Sequence, residues 1–214
     1  MPPRKPAKLS DLLAAITYGD DARALAMIAA APSLAREQAD AGATREAAEE
    51  FFLEGINHYI YEGDAALHIA AAGYRHDIVA ALIAAGADVQ ARNRRGATPL
   101  HYAADGGPGS STWDPRAQAA TVKRLLAGGA DVDAVDMGGV TPLHRAARNR
   151  CTPAVRALLA GGADVTRKNK SGSTALDLAR LTTGRGGSGS AAAKTEQEKI
   201  IALLDGSTPA RRRR

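Results

Sequence analysis

Cysteine is almost missing from this chain: Cys151 is the only one in 214 residues. An internal disulfide framework is therefore excluded, and a reducing compartment is the natural expectation. Aromatic residues are scarce too, at 4%. That excludes a core built on large rings, and the recurrent alanine favours closely packed helices instead. No apolar run approaches the roughly 18 residues of a membrane-spanning helix. The N-terminal stretch MPPRKPAKLSDLL is basic but lacks the apolar segment of a secretory signal. These absences lead to the expectation of a soluble, cytoplasmic protein. A basic body is lacking as well. The formal charge is +5, but seven of the 28 basic residues lie in the tails, at Arg4, Lys5, Lys8 and the closing run Arg211, Arg212, Arg213 and Arg214. The remaining 21 face 23 acidic residues. The cationic balance belongs to the ends, which argues against a nucleic-acid-binding fold. The RRRR tail could add salt-sensitive, non-specific contact with nucleic acid, as an accessory.

What the chain does contain is a repeat. GDAALHIAAAG, GATPLHYAADG, GVTPLHRAARN and GSTALDLARL place Leu67, Leu100, Leu143 and Leu176 at intervals of 33, 43 and 33. A second phrase, AAGADV or AGGADV, follows the first three, with Gly86, Gly129 and Gly162 spaced 43 and 33 apart. The period is thus 33 residues, and one unit carries ten extra. Each unit reads as two helices. Thr98 and Thr141 suit N-caps. Pro99 and Pro142 follow at the first helical position, where a missing N–H costs nothing. Val122, Leu125 and Leu126 mark the apolar face of a second helix, which Gly128 or Gly129 ends. A single unit of this kind cannot bury its apolar stripe, so neighbours must stack.

The period and the T-P-L-H signature resemble the ankyrin repeat. The likeness is dense over residues 63–180 and weaker out to Gly206. It implies an all-α solenoid of about five helix–turn–helix units with β-turn fingers. Residues 9–35 read as an N-terminal cap repeat and 36–62 as an insertion. Repeats follow at 63–95, 96–138 (with an insertion at 106–115) and 139–171. Residues 172–206 form a C-terminal cap repeat with a Gly/Ser loop, between basic tails at 1–8 and 207–214. Within the first insertion, TREAAEEFFLEGINHYIY is expected to open with a helix.

The resemblance also implies a function: a non-enzymatic protein-interaction scaffold that uses its fingers and inner helix face. Carried onto this chain, the finger positions are Arg94, Arg95, Met137, Lys170 and Ser171. The inner-helix positions are Tyr102, Asp105, Arg145 and Arg148. With Arg92, Arg167 and Lys168 the finger edge is locally basic, which suggests an acidic partner protein. A second surface is expected where the long turn holding Trp113 and the glycine-rich turn holding Arg185 flank the short turn of the fourth unit. There Trp113, Arg148, Arg150 and Arg185 could accept an acidic segment, a small anion or a nucleotide, and enzymatic chemistry would belong to that alternative. Folding back to cover helix ends is the competing role for those loops.

Other chemistry is set aside. His68, His101 and His144 recur in register, but zinc needs donors about 2.0–2.1 Å from the metal, and successive repeats are too far apart for that. In ankyrin repeats this histidine is a structural hydrogen-bonding residue; Asp177 replaces it in the fifth unit. His144 and Cys151 lack the orienting group and oxyanion hole a catalytic pair needs, although Arg148 and Arg150 suggest a lowered thiol pKa. A phosphate loop is excluded because Ser188 and Ala193 stand where its glycines belong. No cofactor or metal is expected.

Overall fold

The computed structural model describes residues 8–181 and 190–207. Two parallel rows of short helices run through it. Unit one contributes α1 (Leu9–Thr17) and α2 (Asp21–Ala30). Unit two adds α3 (Ala66–Ala72) and α4 (His76–Ala84). Unit three has α5 (Pro99–Ala103) and α6 (Pro115–Ala127), and unit four α7 (Pro142–Arg148) and α8 (Thr152–Ala160). Unit five closes the array with α9 (Ala175–Arg180) and α10 (Ala191–Ser207). The inner row stacks α1 on α3, then α5, α7 and α9; the outer row stacks α2 on α4, then α6, α8 and α10. This is translational stacking, and its apolar seam is continuous from Leu12 to Leu204.

The caps of α5 and α7 fall at Thr98 and Thr141, where the sequence places them. Thr141 accepts from the His144 amide, and Asp114 accepts from the amides of Arg116 and Ala117. The cap of α8 is Cys151, so Thr152 is the first helical residue and Pro153 the second. Helix α10 begins at Ala191, with Ser190 Oγ accepting from the Ala193 amide.

The recurrent histidine ties each unit to the next. Nδ1 of His68, His101 and His144 accepts from the amide of the helix-capping residue three positions earlier, at 3.1–3.2 Å. Nε2 then donates to a carbonyl of the following finger: Ala97 at 3.2 Å, Val140 at 2.8 Å and Ser173 at 3.0 Å. This requires neutral imidazole protonated on Nε2. Burial lowers the pKa of all three, that of His101 to about 4. In unit five Asp177 keeps the cap, accepting from the Thr174 amide and hydroxyl at 2.9 and 2.8 Å. Among the described residues α9 is the last inner helix, and no following finger lies within its reach.

The fingers form a second tie. The amides of Arg94, Met137 and Lys170 donate to carbonyls of the preceding finger, at Glu62, Arg95 and Gly138. Inside each finger, Asn93, Asp136 or Asn169 accepts two amides through one side-chain oxygen. These residues are spaced 43 and 33 apart, the same intervals as the repeat leucines.

The insertion at 36–62 departs from expectation. It contains two 3₁₀ turns, Glu49–Phe51 and Glu54–Ile56, around a small antiparallel hairpin of β1 (Phe52–Leu53) and β2 (His58–Tyr59). The expected helix is absent. The chain instead turns at Asn57 in the left-handed conformation (φ 50), and Phe52 stacks on Tyr59 with ring centres 4.8 Å apart. Gly55 lies so close to unit one that a Cβ there would sit 2.4 Å from the Thr17 carbonyl oxygen. Tertiary contact outweighs the helical preference of this glutamate- and alanine-rich segment.

Candidate functional site

Beneath the hairpin lies a buried polar knot. Asp64 is fully buried and accepts from the Tyr61 amide at 2.7 Å, Asn93 Nδ2 at 2.9 Å and the Tyr102 hydroxyl at 2.8 Å. Burial and the adjacent Asp64 push the Tyr102 phenol far above its ordinary pKa, so it stays a donor. His68 meets the Tyr102 ring edge-on, and His58 from the hairpin stacks on it at 4.3 Å. Tyr102 is 1% exposed. A residue expected on the binding face is thus the floor on which the insertion rests.

Asp105 joins three parts of the molecule. Its carboxylate takes Arg145 Nη1 at 3.3 Å and Asn149 Nδ2, and His58 Nε2 lies 3.9 Å away. Arg145 reaches Asp136 with its other nitrogen at 3.2 Å. Amide donors and Arg145 hold the Asp136 carboxyl below its usual range despite partial burial. Around these groups opens a cleft of about 440 Å³. One wall is the hairpin at Asn57, His58, Tyr59 and Tyr61; the opposite wall is the loop before α6, at Gly106, Gly107, Ser110 and Thr112. The floor is α5 and α7.

The loop owes its position to small residues and buried amide bonds. A Cβ on Gly107, where φ is +152, would fall 2.1 Å from the Asn149 carbonyl oxygen. Tyr74 donates from its hydroxyl to the Asp105 carbonyl at 2.6 Å. Gln118, fully buried, donates to the carbonyls of Ala103 and Asp105 and accepts from Trp113 Nε1 at 2.9 Å. Trp113 is half-buried and does not line the cleft; its indole pins the loop to α6.

Two of the groups expected at the Trp113 notch beside unit four, Arg150 and Cys151, are buried, whereas Arg148 is exposed. Arg150 is 4% exposed and directs Nη2 towards the Leu181 carbonyl and Gln197 Oε1, both at 3.4 Å. Cys151 is fully buried and donates its thiol to the Gly106 carbonyl. Desolvation pushes that thiol's pKa up, the reverse of the activation suggested by the neighbouring arginines. Arg185, the glycine-rich turn at 182–189 and the RRRR tail lie outside the described residues.

The remaining cations are placed differently from one another. Arg94 contacts the Ala43 carbonyl and lies over the Tyr61 ring at 5.6 Å. Arg95 lies over the same ring at 5.0 Å and bonds the Tyr61 hydroxyl at 3.0 Å, with its guanidinium still open to the cleft. Arg148 and Lys170 are exposed and make no side-chain hydrogen bond or ion pair with the described residues. The structure therefore gathers Arg95, Tyr102, Asp105, Arg145 and Arg148 around one cleft and leaves Lys170 on a separate finger. The hairpin residues His58, Tyr59 and Tyr61 were not singled out from sequence. Their one signal was the aromatic concentration in residues 51–61, within a chain otherwise poor in rings.

Among the described residues there is no group of three or more histidine, cysteine or acidic side chains placed to hold a metal ion. No helix among them is long and apolar enough to cross a membrane.

Stacked two-helix units, histidine ties and linked β-turn fingers define a helical repeat solenoid. The comparisons with known families agree: a three-copy ankyrin-repeat profile matches residues 18–111, a single-repeat profile matches 95–137, and a many-copy ankyrin profile matches 125–179. The chain belongs to the ankyrin-repeat family. No curated protein matches it.

Proposed function

We propose that this chain is a protein-interaction scaffold that engages an acidic partner along its basic finger edge and the open part of its concave face. Ankyrin repeats are generally protein–protein interaction modules, and members of the family are typically non-enzymatic. The observation that carries the acidic preference is Arg148: an exposed guanidinium on an inner helix, without a carboxylate partner among the described residues, beside Arg95 on the cleft wall. An unpaired cation on a rigid surface steers an oppositely charged partner and fixes its register. Arg167, Lys168 and Lys170 add the same charge on the exposed finger of unit four.

The test is affinity capture from native lysate with wild type and Arg148→Glu/Lys170→Glu. These two positions are chosen because neither holds the fold; Arg94 and Arg95 also anchor the insertion through Ala43 and Tyr61. The double reversal is expected to weaken capture at least about 10-fold, equivalent to about 1.4 kcal/mol. Unchanged capture would contradict the assignment.

A further inference from the structure

Two depressions on the concave face share a waist. The 440 Å³ cleft and a second hollow of about 290 Å³ are both lined by Arg95, Arg145 and Arg148. The cleft ends at the hairpin, where Tyr59 is 37% exposed; the second hollow ends on the finger of unit three, where Met137 is 67% exposed. One groove thus runs from an aromatic end, through a cationic middle, to a thioether end.

We propose that this groove binds an extended peptide segment bearing one Asp or Glu between two apolar residues. The carboxylate lies at Arg95 and Arg148, one apolar side chain packs on Tyr59, and the other packs on Met137. The proposal rests on the scaffold reading and narrows it to a linear motif. Charge decides the valence of the central group. Three guanidiniums stand against the carboxylates of Asp105 and Asp136, both of which are engaged by Arg145. The waist therefore carries about one net positive charge, which a single carboxylate balances. A phosphate dianion would bring excess negative charge beside two fixed acidic groups. Planar guanidinium donors also suit a planar carboxylate. At the ends, methionine's flexible thioether adapts to varied apolar partners, and a tyrosine ring offers broad contact at low entropic cost.

The experiment is selection from a random heptapeptide library displayed on phage, with the full chain as bait. Fluorescence anisotropy on the synthetic consensus peptide follows. The selection is expected to enrich one acidic residue flanked on both sides by apolar ones. Replacing that acid by its amide should weaken binding at least about 10-fold, and replacing it by phosphoserine should bring no gain. Arg148→Glu, which removes no side-chain hydrogen bond or ion pair among the described residues, should lose the peptide while keeping the wild-type Tm. No enrichment, a purely apolar or basic consensus, equal binding of the amide peptide, or tighter binding of the phosphoserine peptide would each overturn the proposal. Its failure is separable from failure of the scaffold reading. If whole-partner capture still depends on Arg148 and Lys170 while the library yields nothing, the motif falls and the scaffold stands.

Discussion

In units two and three every residue of the inner helices α3 and α5 is buried, whereas Arg148 of α7 is exposed and α9 exposes Asp177 and Arg180. The two halves of the inner row are built from the same repeat, so the difference is not one of fold. Over units two and three the hairpin insertion rests on Tyr102 and the Asp64 knot, turning what would be a binding surface into core. Over units four and five nothing among the described residues covers the corresponding face. The comparison teaches that an insertion can cover one stretch of a solenoid's inner face without altering the stack. It consumes one stretch of surface, supplies a wall of its own, and leaves a boundary at which a cleft forms.

The comparison is broken most severely at the knot. Asp64→Ala leaves the Tyr102 hydroxyl, Asn93 Nδ2 and the Tyr61 amide without their shared acceptor. It should cost about 4 kcal/mol in urea unfolding. Asp177→Ala, which removes only an exposed helix cap in the open half, should cost about 1 kcal/mol by the same measurement. Similar losses at the two sites would mean that the covered half is no more consolidated than the open one.

Acid attacks the ties between units. Burial depresses the folded pKa of His101 to about 4 from the ordinary histidine value of 6.5, so the unfolded chain binds the proton first as pH falls. Stability is full above pH 6.5, declines from there towards pH 4, and levels off for this group below it. The depression corresponds to about 3 kcal/mol, and the lowered pKa values of His68 and His144 act in the same direction. Urea midpoints measured between pH 7 and pH 4 should fall accordingly. In His101→Asn the fall should be smaller, because one depressed group is gone.

The loop wall is sharpened by Gly107→Ala, which forces a Cβ against the Asn149 carbonyl. A loss of about 2 kcal/mol, read from the thermal midpoint, is expected. The smallest effect on stability belongs to Arg148→Glu, within about 0.5 kcal/mol of wild type.

Much of the stack was legible because its signals are local and periodic. Thr141 followed by Pro142 marks a helix start within two residues, and the histidine three places after the cap marks the tie to the next unit. The finger residues Asn93, Asp136 and Asn169 were legible in principle, since they keep the repeat intervals, but Asn–Asp variation hides them from a search for identical letters. The site was less legible. Its hairpin has no period, and the segment from Thr44 reads as helix until Asn57, Gly55 and the stacking of Phe52 on Tyr59 are set against unit one. Trp113 and Arg150 drew attention as side chains able to recognise a ligand. Each is instead taken up by a protein partner, Gln118 five residues on in one case and the distant Gln197 with Leu181 in the other. Charge type and spacing do not tell an occupied guanidinium from a free one.

The most direct test of the proposed surface is photocrosslinking with p-benzoylphenylalanine placed singly at Tyr59, at Met137, or at Leu25 on the outer helix of unit one. The partner captured through Arg148 and Lys170 should crosslink from positions 59 and 137 and leave position 25 unlabelled. Crosslinking from position 25, with none from 59 or 137, would contradict a binding face that begins where the hairpin ends.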